Sequence, residues 1–211
     1  MFYDHNIEIF SLKSNKIASF IEFPYQLHKD EKHWVAPLRM EAKKIFNPTH
    51  PFWKSSDCTL ILITKDGKSV GRAAAIIPRS RSVSEDEIHF GFFDAIDDPQ
   101  VFSLLFQSLD KIAKQYKVKK IIGPFSPGFN YELGILSEGK NAYPKFLMPW
   151  NPSYYENHFL NHGWSIEKSF FAYQLPVNDF IFSPKMKRIQ EYLNKNYTVS
   201  FRNMDFNNLK E

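Results

Sequence analysis

The stretch FNYELGILSEG, residues 129–139, sets Asn130, Tyr131, Glu132 and Glu138 among apolar neighbours. A carboxyl group beside rings loses hydration, so its pKa rises toward the range in which it takes a proton from a nucleophile such as an amine. Glu132 is the candidate base; the plainer role is a carboxylate that caps or braces a long loop. Asn130 and Asn151 stand where side-chain hydrogen bonds to the backbone are common, so each would hold a ligand or only its own turn. Arg72 follows Gly71 in an apolar run and would face either solvent, the usual place for an arginine, or an anionic ligand. Rings abound, 21 Phe and 10 Tyr, and many fall in loops broken by proline or glycine. Trp34, Phe46, Phe52, Trp53, Phe129, Trp150, Tyr154 and Tyr155 suit the wall of an apolar groove, or pack those loops.

Other chemistries find little footing. Cys58 is the single cysteine, so no intrachain disulfide and no all-cysteine metal site can form, and a reducing, cytoplasmic setting is expected. It lies in the apolar run CTLILI, where a buried structural thiol is the plainer reading than a nucleophile. His158 and His162 are four residues apart on a predicted helix, but no glutamate follows His158, so the zinc-protease pattern fails and no metal site is expected. No Gly-rich loop ending in Lys-Ser/Thr and no serine nucleophile elbow occurs.

The segment HFGFFDAIDDPQVFSLLFQ, residues 89–107, reads as a strand running into a helix, a junction where many α/β enzymes hold a phosphate on free backbone N–H groups. Here Asp98 is placed to cap those groups, Pro99 lacks an N–H, and the carboxylates of Asp97 and Asp98 repel an anion. The junction is well built as a helix start and badly built as a phosphate cradle.

The elements around these residues follow from hydrophobic period and breakers. IEIFSL (7–12) alternates like a half-buried strand, and Ser14 or Asn15 would cap a helix carrying Ile17, Phe20 and Ile21 until Pro24 interrupts it. Residues 34–53 read mostly as loop, with a short helix over 40–45. CTLILITKDGKSVGRAAAII predicts an antiparallel hairpin turning at Asp66-Gly67. The strand IHFGFFDAI, a helix over 99–116 and the strand VKKIIGPF (118–125) make a unit whose strands should pair in parallel. A long loop follows, then a helix from Pro152 that Gly163 ends, then SIEKSFFAYQL as a returning strand. A polar helix spans about 184–195, and residues 197–211 resemble the chain's own opening, as if a second domain of similar build began there after a domain over 1–196.

At 211 residues, 43% of them hydrophobic, the chain has the balance of an ordinary folded domain. The net charge of +4 is too mild, and its lysines too interspersed with acids, to predict a nucleic-acid partner; it fits weak attraction to anionic membranes or to phosphates. No stretch approaches the length of a membrane span, so at most peripheral membrane contact is expected.

The order of elements resembles the GNAT N-acyltransferase superfamily, most strongly through NPSYYENHFLNHGWSIEKSFFAYQL, in which Asn151, Gly163 and Trp164 match that family's late asparagine and Gly-aromatic pair. A more specific resemblance, over nearly all of 8–175, is to a bacterial group of GNAT-like proteins often built from two such domains. It rests on HWVAPL, NPTHPFW, VGRAAAI, GFFDAIDDP, GPFSPGFNYELGILSEG and MPWNPSYY. The resemblance implies a mixed α/β (α+β) fold, a central twisted sheet with helices on both faces. It implies acyl-CoA as cosubstrate rather than a resident cofactor, long-chain acyl transfer onto an amine or lipid-like acceptor, and a second GNAT-like domain C-terminal to this chain. In many GNAT enzymes a tyrosine four residues before the Gly-aromatic pair protonates the departing thiolate; that position here is Phe159. Tyr155, one helical turn earlier, would serve as acid only if the cofactor were shifted. Asn130, Tyr131, Asn151, Tyr154, Trp150, Arg72 and Trp53 are the expected acceptor-binding residues. The departures at 97–99 and 159 leave open a non-catalytic binding module on the same scaffold.

Overall fold

The protein is described here by a computed structural model covering residues 5–79, 86–176, 178, 181–198 and 202–206. It divides into two compact units, Met1–Ser165 and Ile166–Glu211. The first holds strands β1 (His5–Ser11), β2 (Ser56–Lys65), β3 (Lys68–Pro78), β4 (Glu87–Ala95) and β5 (Lys120–Ile122), which lie side by side in sequence order in one sheet. Neighbours from β1 to β4 run antiparallel and β5 joins β4 in parallel, as the predicted β-α-β unit requires. Asp66 and Gly67, both at positive φ, turn β2 into β3.

Alternate residues of the central strands face opposite layers. Ile61, Ile63, Ala73, Ala75 and Ile77 pack under α3 (Pro99–Gln115) and α4 (Tyr154–Asn161), while Leu60, Ala74 and Ile76 pack under α1 (Ile17–Leu27) and α2 (Arg39–Ile45). The mixed sheet with helices on both faces is thus set by the two-residue period of β2 and β3 and by the helical stripe Val101, Leu105, Leu109 and Ile112 of α3, all buried. A small hairpin, β6 (Phe125–Ser126) with β7 (Glu132–Leu133), follows β5. It passes so close to β4 that a Cβ on Gly91 would stand 1.4 Å from the Phe125 carbonyl oxygen. Gly91→Ala is therefore expected to cost about 3 kcal/mol of stability, read as a lowered denaturant midpoint.

Three expectations need correction. Pro24 does not interrupt α1: the helix runs through it, and the Phe20 carbonyl, left without a helical donor because proline has no N–H, accepts from Arg72. Neither Ser14 nor Asn15 is the cap residue; Lys16 occupies that place without a side-chain cap, and the Ser14 hydroxyl accepts the Lys16 N–H. SIEKSFFAYQL forms no strand. Residues 166–175 are exposed and outside any sheet: residues of strand-forming type do not suffice, because a strand also needs a neighbour's N–H and C=O groups. In the second unit α5 (Pro184–Asn196) begins at a Ser183 cap, close to its predicted bounds. The strand expected after 196 falls mostly outside the described residues. Among the described residues no helix is long and apolar enough to cross a membrane.

Candidate functional site

A cavity of about 610 Å³ opens on the α1 side of the sheet. Its walls come from α1, α2, the end of β4, the β6–β7 hairpin and the loop 146–151, with Tyr25, Trp34, Phe92, Ile135, Phe146 and Trp150 supplying apolar surface. Charge is confined to a few points. Arg72 on β3 and Asp94 on β4 are direct cross-strand partners, and both line the cavity. Arg72 Nε donates to Asp94 Oδ2 at 2.7 Å, Arg72 Nη1 donates to the Phe20 carbonyl at 2.7 Å, and His28 Nε2 lies 3.0 Å from Asp94 Oδ1. Burial alone would raise the Asp94 carboxyl; Arg72 and His28 together outweigh it and hold the group below the usual carboxylate range. His28 is itself buried, tilted against Trp34 at 5.3 Å and edge-on to Trp150 at 5.2 Å.

Glu132 is different. It lines the cavity with its side chain still open to solvent, and the crowding of protein around it, followed by the field of Asp94, pushes its pKa up. Among the described residues no cation pairs with it, whereas Asp94 has two partners. Trp150 adds a buried indole N–H that finds no acceptor among the described residues. The cavity therefore combines apolar walls, a saturated ion pair and one carboxyl group that gains by meeting a proton or a cation.

Along this same end of β4 the backbone groups of Phe92 and Ala95 are already engaged. Phe92, at φ 47°, forms a bulge whose N–H is accepted by the Ser126 hydroxyl at 3.0 Å. The Ala95 N–H donates to the Tyr155 oxygen at 2.9 Å, and the Tyr154 hydroxyl donates to the Ala95 carbonyl at 2.8 Å. Asp98 caps α3 by accepting the Gln100 N–H at 2.8 Å, Pro99 holds the first helical position, and His158 Nε2 contacts Asp97 Oδ1 at 2.7 Å.

No family model matches the sequence. Protein YghO of Escherichia coli K12 is 33% identical over 190 residues, which are 89% of this chain and 49% of that protein. Bacterial ceramide synthase of Caulobacter vibrioides is 31% identical over 163 residues, 75% of this chain and 42% of that protein. The chain thus spans about half the length of these curated relatives. Among solved structures, a predicted acetyltransferase from Clostridium acetobutylicum with acetyl-CoA superposes at TM-score 0.50 and 9% identity, covering 81% of this chain and 96% of that one. A tandem GNAT protein from the clavulanic acid biosynthesis pathway superposes at TM-score 0.50 and 8% identity, covering 76% and 43%. This is the GNAT fold.

In a GNAT fold the start of the helix after β4 is where a CoA diphosphate would rest on free amides. The residues present do not fit that group. Asp98 has taken the donor at Gln100, Pro99 offers none, two carboxylates face the approach, and the tyrosines have closed Ala95.

Of the residues singled out from sequence, Arg72, Tyr131, Glu132, Trp150 and Asn151 meet at the cavity, joined by the rings of Trp34, Phe46 and Tyr155. The rest do not. Trp53 is buried under α1 and α2, its Nε1 donating to the Ile45 carbonyl at 2.6 Å, and Asn130 borders a separate hollow beside Phe52 and Phe129. Tyr154 serves Ala95 from outside the cavity. Asn151 mainly braces its loop, accepting the Leu136 N–H at 2.7 Å. Arg72 is neither on the solvent side nor free for an anion, because Asp94 already occupies it. Tyr155, fully buried, has its pKa pushed well up by burial and by Asp94; its ring packs on Phe93 and Phe102. Tyr155→Phe is expected to lower stability by about 1–2 kcal/mol, since the buried Ala95 N–H loses its acceptor; a melting curve reads it.

Sequence reasoning missed Asp94 and His28. A signal for Asp94 existed: one acid inside GFFDAI and one base inside VGRAAAI are each costly alone in an apolar strand, so adjacent strands should join them. Cys58 is pushed up to about 12 by burial and by Asp57, in line with a structural thiol. Among the described residues no group of three His, Cys, Asp or Glu side chains could hold a metal ion.

Proposed function

We propose that this chain is a domain of an acyl-CoA-dependent N-acyltransferase, in which the cavity holds the apolar part of a long acyl chain or of a lipid-like amine. The carrying observation is the apolar cavity with, in its wall, a pKa-raised carboxyl that has no cation partner among the described residues. Glu132 takes the proton that an amine must lose before it attacks an acyl carbon, and the Arg72–Asp94–His28 network fixes the floor beneath it without taking part in proton transfer. The relatives support the reaction class, since one of them is a bacterial ceramide synthase. Their length, about twice that of this chain, supports a second GNAT-like domain that carries the CoA diphosphate, for which the α3 junction has no room.

The closed junction equally favours a second reading, a binding module that kept the scaffold and lost the chemistry. One experiment separates the two. The full-length protein is incubated with a long-chain acyl-CoA and a long-chain amine, and free thiol and amide are followed. Thiol release matched by amide supports the transferase; a ligand-induced rise in melting point with no release supports the module.

A further inference from the structure

We propose that the rim of the cavity is a docking surface for an anionic lipid bilayer. The rim carries large apolar side chains that no part of the first unit covers. Leu38 and Met40, at the start of α2, are each 70% exposed, and Phe146, across the opening, is 90% exposed. Val35 and Leu147 extend the same apolar edge. Pro37, Ala42, Phe146 and Leu147 all line the cavity, and the His33 and Tyr143 rings meet at 5.3 Å, so the two loops stand on either side of one mouth.

The charges around it favour a bilayer as the occupant. Arg39 is taken by Glu22, Lys29 lies near Asp30 and Lys44 near Glu41. Lys32, Lys43 and Lys145, next to the apolar residues in sequence, are exposed and have no acidic partner among the described residues. Apolar tips backed by lysines match a lipid surface, where rings and aliphatic chains enter the acyl region while ammonium groups remain with anionic headgroups. An exposed patch continuous with an apolar cavity also gives a lipid chain a way in that never crosses water. This purpose rests on the proposed apolar-chain occupancy of the cavity; the docking itself does not.

The test is flotation of the 211-residue chain with vesicles of mixed phosphatidylcholine and phosphatidylglycerol, and with phosphatidylcholine alone. Binding is expected on the anionic vesicles, weaker on the neutral ones and weaker at high salt. The pair Leu38→Asp and Met40→Asp, and separately Phe146→Asp, should each lower the partition coefficient by at least about tenfold, because the apolar insertion is lost. Lys43→Glu with Lys145→Glu should lower it on anionic vesicles only, by at least about fivefold per lysine. These side chains are exposed, and an unchanged melting point checks that each variant folds.

The rival within the chain is α5, whose Met186, Ile189, Tyr192 and Leu193 are exposed beside Lys185, Lys187 and Arg188. Absence of binding to anionic vesicles, equal binding by the rim variants, or loss only in Ile189→Glu with Leu193→Glu would each overturn the proposal. Vesicle binding needs no acyl donor, so its failure leaves the amide-forming assay unaffected, and failure of that assay leaves flotation unaffected.

Discussion

Arg72→Met is expected to lower stability by about 3–5 kcal/mol near neutral pH, because it removes the permanent cation beside the buried Asp94 carboxylate and leaves it His28 alone. The guanidinium now satisfies one Asp94 oxygen and the Phe20 carbonyl that Pro24 leaves without its helical donor; methionine fills the volume and satisfies neither. The pH dependence distinguishes this from simple loss of packing. In the wild type the folded-state pKa of Asp94 is depressed, so its contribution is present above the ordinary carboxylate pKa of about 3.9 and is lost as pH falls through the lower folded value. In the variant, burial dominates and the folded pKa rises, so the penalty is absent while the group is protonated and grows as pH rises through that value. Denaturant melts of both proteins from acid to neutral pH should therefore diverge with rising pH. A constant gap would mean that packing, and not the ion pair, was lost.

Glu132→Gln is expected to cut amide formation by the full-length protein by about 10²–10⁴-fold, the range for removing a positioned base. The rate of the wild type should rise with pH through a value above the ordinary glutamate pKa of about 4.3, since only the carboxylate accepts a proton. Stability moves the other way. Because the folded pKa is raised, Glu132 contributes stability fully below its unfolded pKa and loses it as pH climbs through the folded one. Glutamine removes that loss, so the variant should melt no lower than wild type at neutral pH. A brace for the β6–β7 loop would instead melt lower, which is how the two roles separate.

Much of the scaffold was legible because local patterns there agree with the final packing. The Asp66-Gly67 hairpin, the stripe of α3 and the parallel return to β5 each rest on a period or a turn that nothing in the tertiary structure opposes. The closure at Asp98 and Pro99 was legible for the same reason, being local to one helix start. What could not be read required three dimensions. His28 and Asp94 are 66 residues apart and meet only because α1 crosses the end of β4. Tyr154 and Tyr155 read in the sequence as rings for a groove, yet their hydroxyl groups hold Ala95 some 60 residues away. SFFAYQL shows the reverse failure: its aromatic residues suit a strand, but a strand's partner is not written in the strand.

The central claim is that this domain meets its ligand through an apolar cavity and not through amides at the start of α3. Titrating the chain with CoA and with acyl-CoAs of increasing chain length, and following the melting point, tests it most directly. Expected is almost no rise for CoA itself and a rise that grows with acyl length, because each added methylene buries apolar surface. An equal rise for CoA and for every acyl-CoA, abolished by a charge reversal beside Asp98, would contradict it.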